Sequence, residues 1–333
     1  MAGLGQVRRL GEWGLLRRFL PDLARRVSRR VTVGPGDDAA VVRLDGGLWA
    51  VTTDMLVEGV HFRTAWTDGR DLGHKALAVN LSDLAAMGDV EPGFGVVSLG
   101  ISPRTPVDYV DNFYRGLRVL ARRHRFDIVG GDTVRADRIV VSIAAVGRFR
   151  GGAVPVRRDG ARRGDALLVT GTLGDAAAGL EILSGRGASV PAGVNRFLTR
   201  RLLRPQPRLE LVRRLLAQGR LTGLIDSSDG FWRSVRILCG MSGVGAVVHA
   251  ERLPLSTALR RWAAVRRKDP LDLALVGGED YELIFTAGPA AARRMERAGL
   301  ARIVGSVVSR RQGLTVLENL KSRRIPRGFE HFG

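Results

Sequence analysis

Six short segments set carboxylates beside glycines, hydroxyls or amides: Gly36-Asp37-Asp38, Thr52-Thr53-Asp54, Asn80-Leu81-Ser82-Asp83, Gly130-Gly131-Asp132-Thr133, Asp226-Ser227-Ser228-Asp229-Gly230 and Gly277-Gly278-Glu279-Asp280. Taken singly, each has an ordinary structural account. Aspartate after glycine suits a turn, Ser228 or Asp229 suits the cap of a helix starting near Phe231, and Asp83 suits a solvated helix position. Together they point to chemistry. Carboxylates about 4 Å apart repel by on the order of 4 kcal/mol per pair at an effective dielectric near 20. A hard divalent cation relieves that repulsion, and carboxylate, hydroxyl and water oxygens are the ligands Mg²⁺ prefers. Mg²⁺ held by a few aspartates in turn suits the phosphates of a nucleotide.

The familiar nucleotide signatures are absent. The chain has no GxxxxGK[ST], no GxGxxG opening a helix within a βαβ unit, no HRD or DFG set, and no HExxH zinc helix. A nucleotide would therefore be held in a metal-rich mode.

The elements that must position these acids follow from periodicity. Leu10, Trp13, Leu16, Leu20 and Leu23 space one amphipathic helix over the first thirty residues. VTVGPGDDAAVVRL reads as strand, turn, strand, and LWAVTTDMLVEG as a further strand carrying Thr52, Thr53 and Asp54. A helical pattern runs from Asp71 to Met87, and another from Val107 to His124. PGFGVVSLGIS and RIVVSIAAVGRF read as strands, and FDIVGGDTVR as a short strand ending in a glycine turn. In the second half ALLVTG is a buried strand, GTLGDAAAGLEIL a turn into a helix, and LTGLIDSSDGFWRSVRILCG a strand, an acidic turn and a helix. LALVGGEDYELIFTAG repeats the strand-glycine-acid style and runs on into a strand. This mixture is α+β rather than a regular βαβ alternation.

At 333 residues the chain exceeds the usual single-core limit of about 250–300, so two domains are expected. The Gly-, Arg- and Pro-rich stretch from Arg148 to Asp165 marks the junction, giving domains 1–149 and 150–333. Hydrophobic residues at 45% and charged residues at 26% supply a core and exclude a disordered chain. No apolar run reaches the roughly 18 residues of a membrane span, and the arginine pairs of the opening segment exclude a signal peptide. Cys239 is the only cysteine, which excludes a disulfide framework and fits a reducing cytoplasm. Only Lys75, Lys268 and Lys321 are lysines, so the net charge of +20 is mostly arginine. The arginine pairs are scattered, and aromatic residues, at 6%, do not interleave with them. That pattern reads as composition and argues against a nucleic-acid-binding protein.

GEWGLL, GPGDDAAVV, TTDMLVEGVHF, KALAVNLSDLAAMG, IVGGDT, RDGARRGD, VTGTLGDAAAGL, IDSSDG, GGEDYELIFT and GFEHF, in this order between residues 11 and 332, closely resemble the thiamine-monophosphate kinase family. That family lies within a superfamily that includes aminoimidazole ribonucleotide synthetase. The resemblance implies a two-domain α/β mixed fold: an N-terminal mixed-sheet domain for ATP and Mg²⁺ binding and dimerisation, and a C-terminal α/β domain. It implies a homodimer, ATP as co-substrate, several Mg²⁺ ions, and phosphorylation of thiamine monophosphate to thiamine diphosphate. By motif it implies Asp38, Thr52, Thr53, Asp54, Asp83, Asp132, Asp226 and Asp229 as Mg²⁺ ligands. It implies Gly131, Asp132, Arg158 and Ser228 as ATP contacts, with Tyr114 beside them. It implies His61, Glu279 and Phe329 as thiamine-phosphate contacts.

No protein base is required, because a phosphate with a second pKa near 6 is already an ionised nucleophile. An acid such as Glu279 could offset the cationic ring of the substrate, and Phe329 could stack on it. Trp232 and Tyr281 read as core. Ser227 departs from the family, where an aliphatic residue is commoner. The alternatives are an aminoimidazole ribonucleotide synthetase on the same fold, distinguished by the VEGVHF and GFEHF segments, and a basic nucleic-acid-binding protein.

Overall fold

The computed structural model describes residues 7–24, 27–186, 190–326 and 328. In chain order it contains α1 (Val7–Ala24), β1 (Val31–Val33), β2 (Ala40–Leu44), β3 (Gly47–Val57), α2 (Gly69–Ala86), β4 (Val90–Ile101), α3 (Val107–His124), β5 (Asp127–Arg135) and β6 (Val140–Phe149). There follow β7 (Ala166–Val169), α4 (Asp175–Glu181), α5 (Ala192–Leu203), α6 (Leu209–Gln218), β8 (Leu221–Asp226), α7 (Phe231–Ser242) and β9 (Gly245–His249). The last elements are α8 (Thr257–Arg266), α9 (Pro270–Val276), β10 (Leu283–Ala287), α10 (Pro289–Arg297), β11 (Arg302–Val308), β12 (Leu314–Glu318) and β13 (Lys321–Ser322).

The strands form two sheets. The first has six strands in the order β1-β2-β3-β6-β4-β5, and the second has seven in the order β13-β12-β9-β11-β7-β10-β8. Among the named strands β4 pairs β5 and β9 pairs β12 in parallel, and the other pairings are antiparallel. This is an α+β architecture, as the mixed pattern of elements predicts.

Helix α2 is the centre of the molecule. Leu72, Ala76, Leu77, Val79, Leu81, Leu84 and Ala85 are all buried, and so are the polar Lys75, Asn80 and Ser82, so the helix is enclosed on most sides although one face is polar. One continuous core joins it to the inward residues of the first sheet, to Phe113, Leu117 and Leu120 of α3, and to Leu224, Leu283 and Phe285 of the second sheet. Asp68 starts the helix by accepting from the Asp71 amide at 2.8 Å. Glycines let α3 approach closely: an added Cβ at Gly73 would overlap the Phe113 carbonyl oxygen, and one at Gly116 the Arg70 carbonyl oxygen.

Three local expectations change. The LALV segment is helical, α9, because Asp269 caps it by accepting from the Leu271 amide at 2.9 Å and Pro270 occupies its first turn. FDIVGGDTVR does not stop at its glycines. It runs as β5 through Gly130 and Gly131 to Arg135, with a register shift at Gly130, and Gly131 is required because a side chain would overlap the Val97 carbonyl oxygen. Helix α1 forms, but no residue from Gly14 to Ala24 is buried, so this part of the leucine stripe does not enter the core. Among the described residues no helix is long and apolar enough to cross a membrane.

The close helix contact makes a prediction. Alanine at position 73 gains about 1 kcal/mol of helix propensity but forces backbone apart, a cost of about 1–3 kcal/mol or more. Gly73→Ala therefore lowers the midpoint of thermal or urea unfolding. A raised midpoint would show that α2 and α3 do not meet backbone to backbone.

Candidate active site

Three elements and one turn carry acids into a single space around α2. Asp38 lies in the turn between β1 and β2, Thr52 and Asp54 occupy inward positions of β3, Asp83 closes the last turns of α2, and Asp226 ends β8. Asp38, Asp83 and Asp226 each bring a carboxylate oxygen within 4.8 Å of the other two. The strand and helix are pinned there by short bonds. Thr52 Oγ1 donates to Asp83 Oδ2 at 2.6 Å, and Ser82 Oγ donates to Asp226 Oδ2 at 2.6 Å. Asn80 Oδ1 accepts from the Asp54 amide at 3.1 Å while its Nδ2 donates to the Ala76 carbonyl at 2.9 Å.

The cluster is electrostatically unfavourable as it stands. Burial, then the charge of Asp38, pushes Asp226 up to about 7. Burial, then Asp229 and Asp38, pushes Asp54 up to about 6. Asp83 rises well above the carboxylate range through burial and the charges of Asp54, Asp226 and Asp38. Asp37, facing Asp38, rises to about 6, again mainly by burial. Arg158 opposes part of this charge. Arg158 donates from Nε to Asp38 Oδ2 at 2.9 Å and from Nη2 to Asp38 Oδ1 at 2.5 Å, and its amide reaches Asp37 Oδ2 at 3.2 Å. A single guanidinium does not balance this number of acids. A buried set of hard oxygen donors with excess negative charge fits Mg²⁺.

The second acidic turn and the Gly277–Tyr281 loop act as one unit. The Ser227 amide donates to the Glu282 carbonyl at 2.8 Å, the Tyr281 amide to the Ser227 carbonyl at 3.1 Å, and the Glu279 amide to the Ser228 carbonyl at 2.6 Å. These bonds extend the pairing of β8 with β10, in which Leu283 faces Asp226. Gly278 is required there, since an added Cβ would lie 2.7 Å from the Ser228 carbonyl oxygen. Asp229 pairs with Arg233 at 3.4 Å. His61 Nδ1 accepts from the Val57 amide at 3.0 Å, which leaves its proton on Nε2.

The remaining site candidates are Thr53, Tyr114, Gly131, Asp132 and Phe329. Thr53 occupies an outward position of β3, its hydroxyl 3.3 Å from Ser142 Oγ. Asp132 lies opposite Ser98, and Ser98 opposite Ser142, so Asp132 shares that outward face. Tyr114, Gly131 and Asp132 line a cavity of about 470 Å³ with Val97, Ile128 and Thr133. Strand alternation puts Thr53 and Asp132 on the face of the sheet opposite to Thr52 and Asp54, whereas Tyr114, on α3, packs against the core on the side of α2. Phe329 lies outside the described residues.

Two residues of the site were not legible as such. Lys75 is buried against Glu279, with Nζ 2.7 Å from Oε1. Its signal was helical spacing: Lys75, Ser82 and Asp83 are seven and eight residues apart, on one face of α2. Tyr281 is buried, as a core residue would be, yet its phenol is pushed well up by burial and by the charges of Glu279, Asp54, Asp226 and Asp83. Nothing in its spacing shows that these charges bear on it.

The chain matches the family AIR synthase related protein, N-terminal domain, over residues 36–149, and the corresponding C-terminal domain over residues 162–317. It thus belongs to the AIR synthase related proteins, whose two-domain α+β fold it shares. It is 36% identical over 284 residues to the thiamine-monophosphate kinase of Aquifex aeolicus, covering 84% of this chain and 87% of that protein. It is 38% identical over 277 residues to the thiamine-monophosphate kinase of Escherichia coli (strain K12), covering 83% and 82%. The solved structure of AaThiL complexed with AMPPCP and TMP superposes with a TM-score of 0.86 at 32% identity, covering 99% of this chain and 100% of that one. Within the wider class, the chain belongs to the thiamine-monophosphate kinase family.

If the carboxylates hold a divalent cation, replacing one neutralises part of the ligand charge that sets affinity. Mn²⁺ titrated into the nucleotide-free protein and followed by electron paramagnetic resonance binds about tenfold or more weakly to Asp83→Asn. Equal binding by both proteins would remove Asp83 from the ligand set.

Proposed function

We propose that this chain transfers the γ-phosphoryl group of ATP to thiamine monophosphate, giving thiamine diphosphate and ADP by direct in-line displacement. The observation that carries this reading is the convergence of Asp38, Asp83 and Asp226 from three separate elements onto one buried point. The related AaThiL structure, complexed with AMPPCP and TMP, supports the choice of substrates.

The residues divide the work. Asp38, Thr52, Asp54, Asp83, Asp226 and Asp229 would hold Mg²⁺ from the inner face, and Thr53 and Asp132 from the outer face. Bound Mg²⁺ screens the two phosphates from each other and stabilises charge on the transferring group. Arg158 offers a planar fork of donors to a phosphate, and Gly131 and Ser228 offer backbone that a nucleotide can approach. Tyr114 borders the cavity where a base would lie. His61, with its proton on Nε2, donates to an anionic substrate, and Glu279 and Phe329 take the thiamine end. No chain residue removes a proton, because the attacking phosphate oxygen is already ionised.

The active unit in this reading is a homodimer of two-domain chains, divided as 1–149 and 150–333, in a reducing cytoplasm suited to the single buried Cys239. The outward face of the first sheet exposes Met55, Phe94 and Val96 beside Thr53 and Asp132. A second copy laid on this apolar face would also enclose those two polar residues.

Two experiments test the reading. Purified protein with ATP, Mg²⁺ and thiamine monophosphate forms thiamine diphosphate, and omitting the metal abolishes it. Asp83→Asn and Asp229→Asn each lower turnover on the order of 10²–10³-fold, the scale of losing one charge-stabilising group, with the far-ultraviolet dichroism unchanged. Wild-type activity in both variants would refute the metal assignment. In sedimentation equilibrium the chain has the mass of two copies and Val96→Asp that of one. A monomeric wild type would refute the dimer.

A further inference from the structure

We infer that Lys75 is a positioning residue for the thiamine-phosphate end of the site, an inference that rests on the function proposed above. Its ammonium contacts both oxygens of Glu279, at 2.7 and 2.9 Å, and donates to the His61 carbonyl at 3.1 Å. It thereby touches two of the three segments assigned to that substrate, from opposite halves of the chain.

Burial sets the direction of the effect. The Lys75 side chain is 2% exposed and that of Glu279 is 24% exposed. The lysine is the enclosed anchor, and the carboxylate is the group that retains an open side. The segment carrying Glu279 is strained: Glu279 has φ of 67° and Tyr281 of 50°, conformations that side-chain-bearing residues rarely adopt. A buried cation at a fixed place on α2 is what keeps the Glu279 carboxylate aimed. The same helix carries Ser82 and Asp83, so Lys75 holds the substrate contacts in register with the carboxylate cluster.

The pair also changes what Glu279 can offer. A carboxylate already neutralised by Lys75 has little net charge left to offset a cationic ring. It recognises its ligand by directed hydrogen bonds instead. Loss of Lys75 therefore acts on one substrate and not the other.

The test is steady-state kinetics of full-length Lys75→Met beside wild type, with thiamine monophosphate and ATP each varied. The expected result is a KM for thiamine monophosphate raised about tenfold or more, with the KM for ATP within about twofold and kcat within about threefold. Calorimetric titration with thiamine monophosphate alone shows the same loss of affinity. A lysine that merely staples the two halves would lower the unfolding midpoint and leave both KM values unchanged, which overturns the inference.

If Lys75→Met does not fold, the variant Lys75→Met/Glu279→Met removes both buried charges, a change that packed interiors tolerate. It is then compared with Glu279→Met alone. Affinities for thiamine monophosphate within about twofold of each other, both well below wild type, support positioning through Glu279. A further tenfold loss in the double variant overturns it, because Lys75 would then act on the ligand itself. A wild-type chain that neither binds nor phosphorylates thiamine monophosphate overturns the parent reading. A wild type that does both, beside an unaltered Lys75→Met, overturns this inference alone.

Discussion

Mutual repulsion among buried carboxylates is the constraint around which this molecule is organised. Asp38 and Asp226, both buried, and the half-buried Asp83 approach within 4.8 Å of one another. At that separation each pair opposes folding by on the order of several kcal/mol. Something must hold them together. The structure supplies a helix enclosed on most sides, with Thr52, Ser82 and Asn80 tying the acids and strand β3 to it. The stability invested in α2 is what permits a site that destabilises the chain.

The same constraint explains where the second half enters. Arg158 follows the junction between the halves and lies across Asp37 and Asp38. Asp226 ends a strand of the second sheet, and Glu279 reaches Lys75 from a loop paired to that strand. A cation held by Asp38 and Asp226 would bridge both halves as well as bind phosphate. The Arg158–Asp38 and Ser82–Asp226 bonds already join the two halves at the acid cluster, so changes at Gly278 or Ser82 alter its geometry.

A second buried network stabilises the loop from behind. Asp280 accepts from the Gly174 amide at 2.6 Å and from the Ala176 amide at 3.2 Å, capping α4. Glu282 is fully buried and lies below its ordinary range despite burial, because Arg208 and Arg201 pair with it. Within five residues, then, one carboxylate meets Lys75, one caps a helix and one joins two arginines. Residue type alone does not separate these roles; the partners do.

Periodicity and turn chemistry were enough to place α2, α3, β3, β4 and β6, to recognise α+β, and to find the acid segments, because local hydrophobic spacing and the small residues beside each acid are properties of the chain itself. The family was legible for the same reason: NLSDLAAMG and GGEDYEL are contiguous. Helix α9 was misread because four apolar residues fit a strand or a helix until a capping aspartate decides. Tertiary structure alone decided which acids converge. It placed Thr52 inward and Thr53 outward by the alternation of β3, set Asp132 on the far side of the sheet, and made Lys75 the partner of Glu279 across 204 residues. Those facts depend on packing between segments distant in the chain, and neither spacing nor composition encodes such distances.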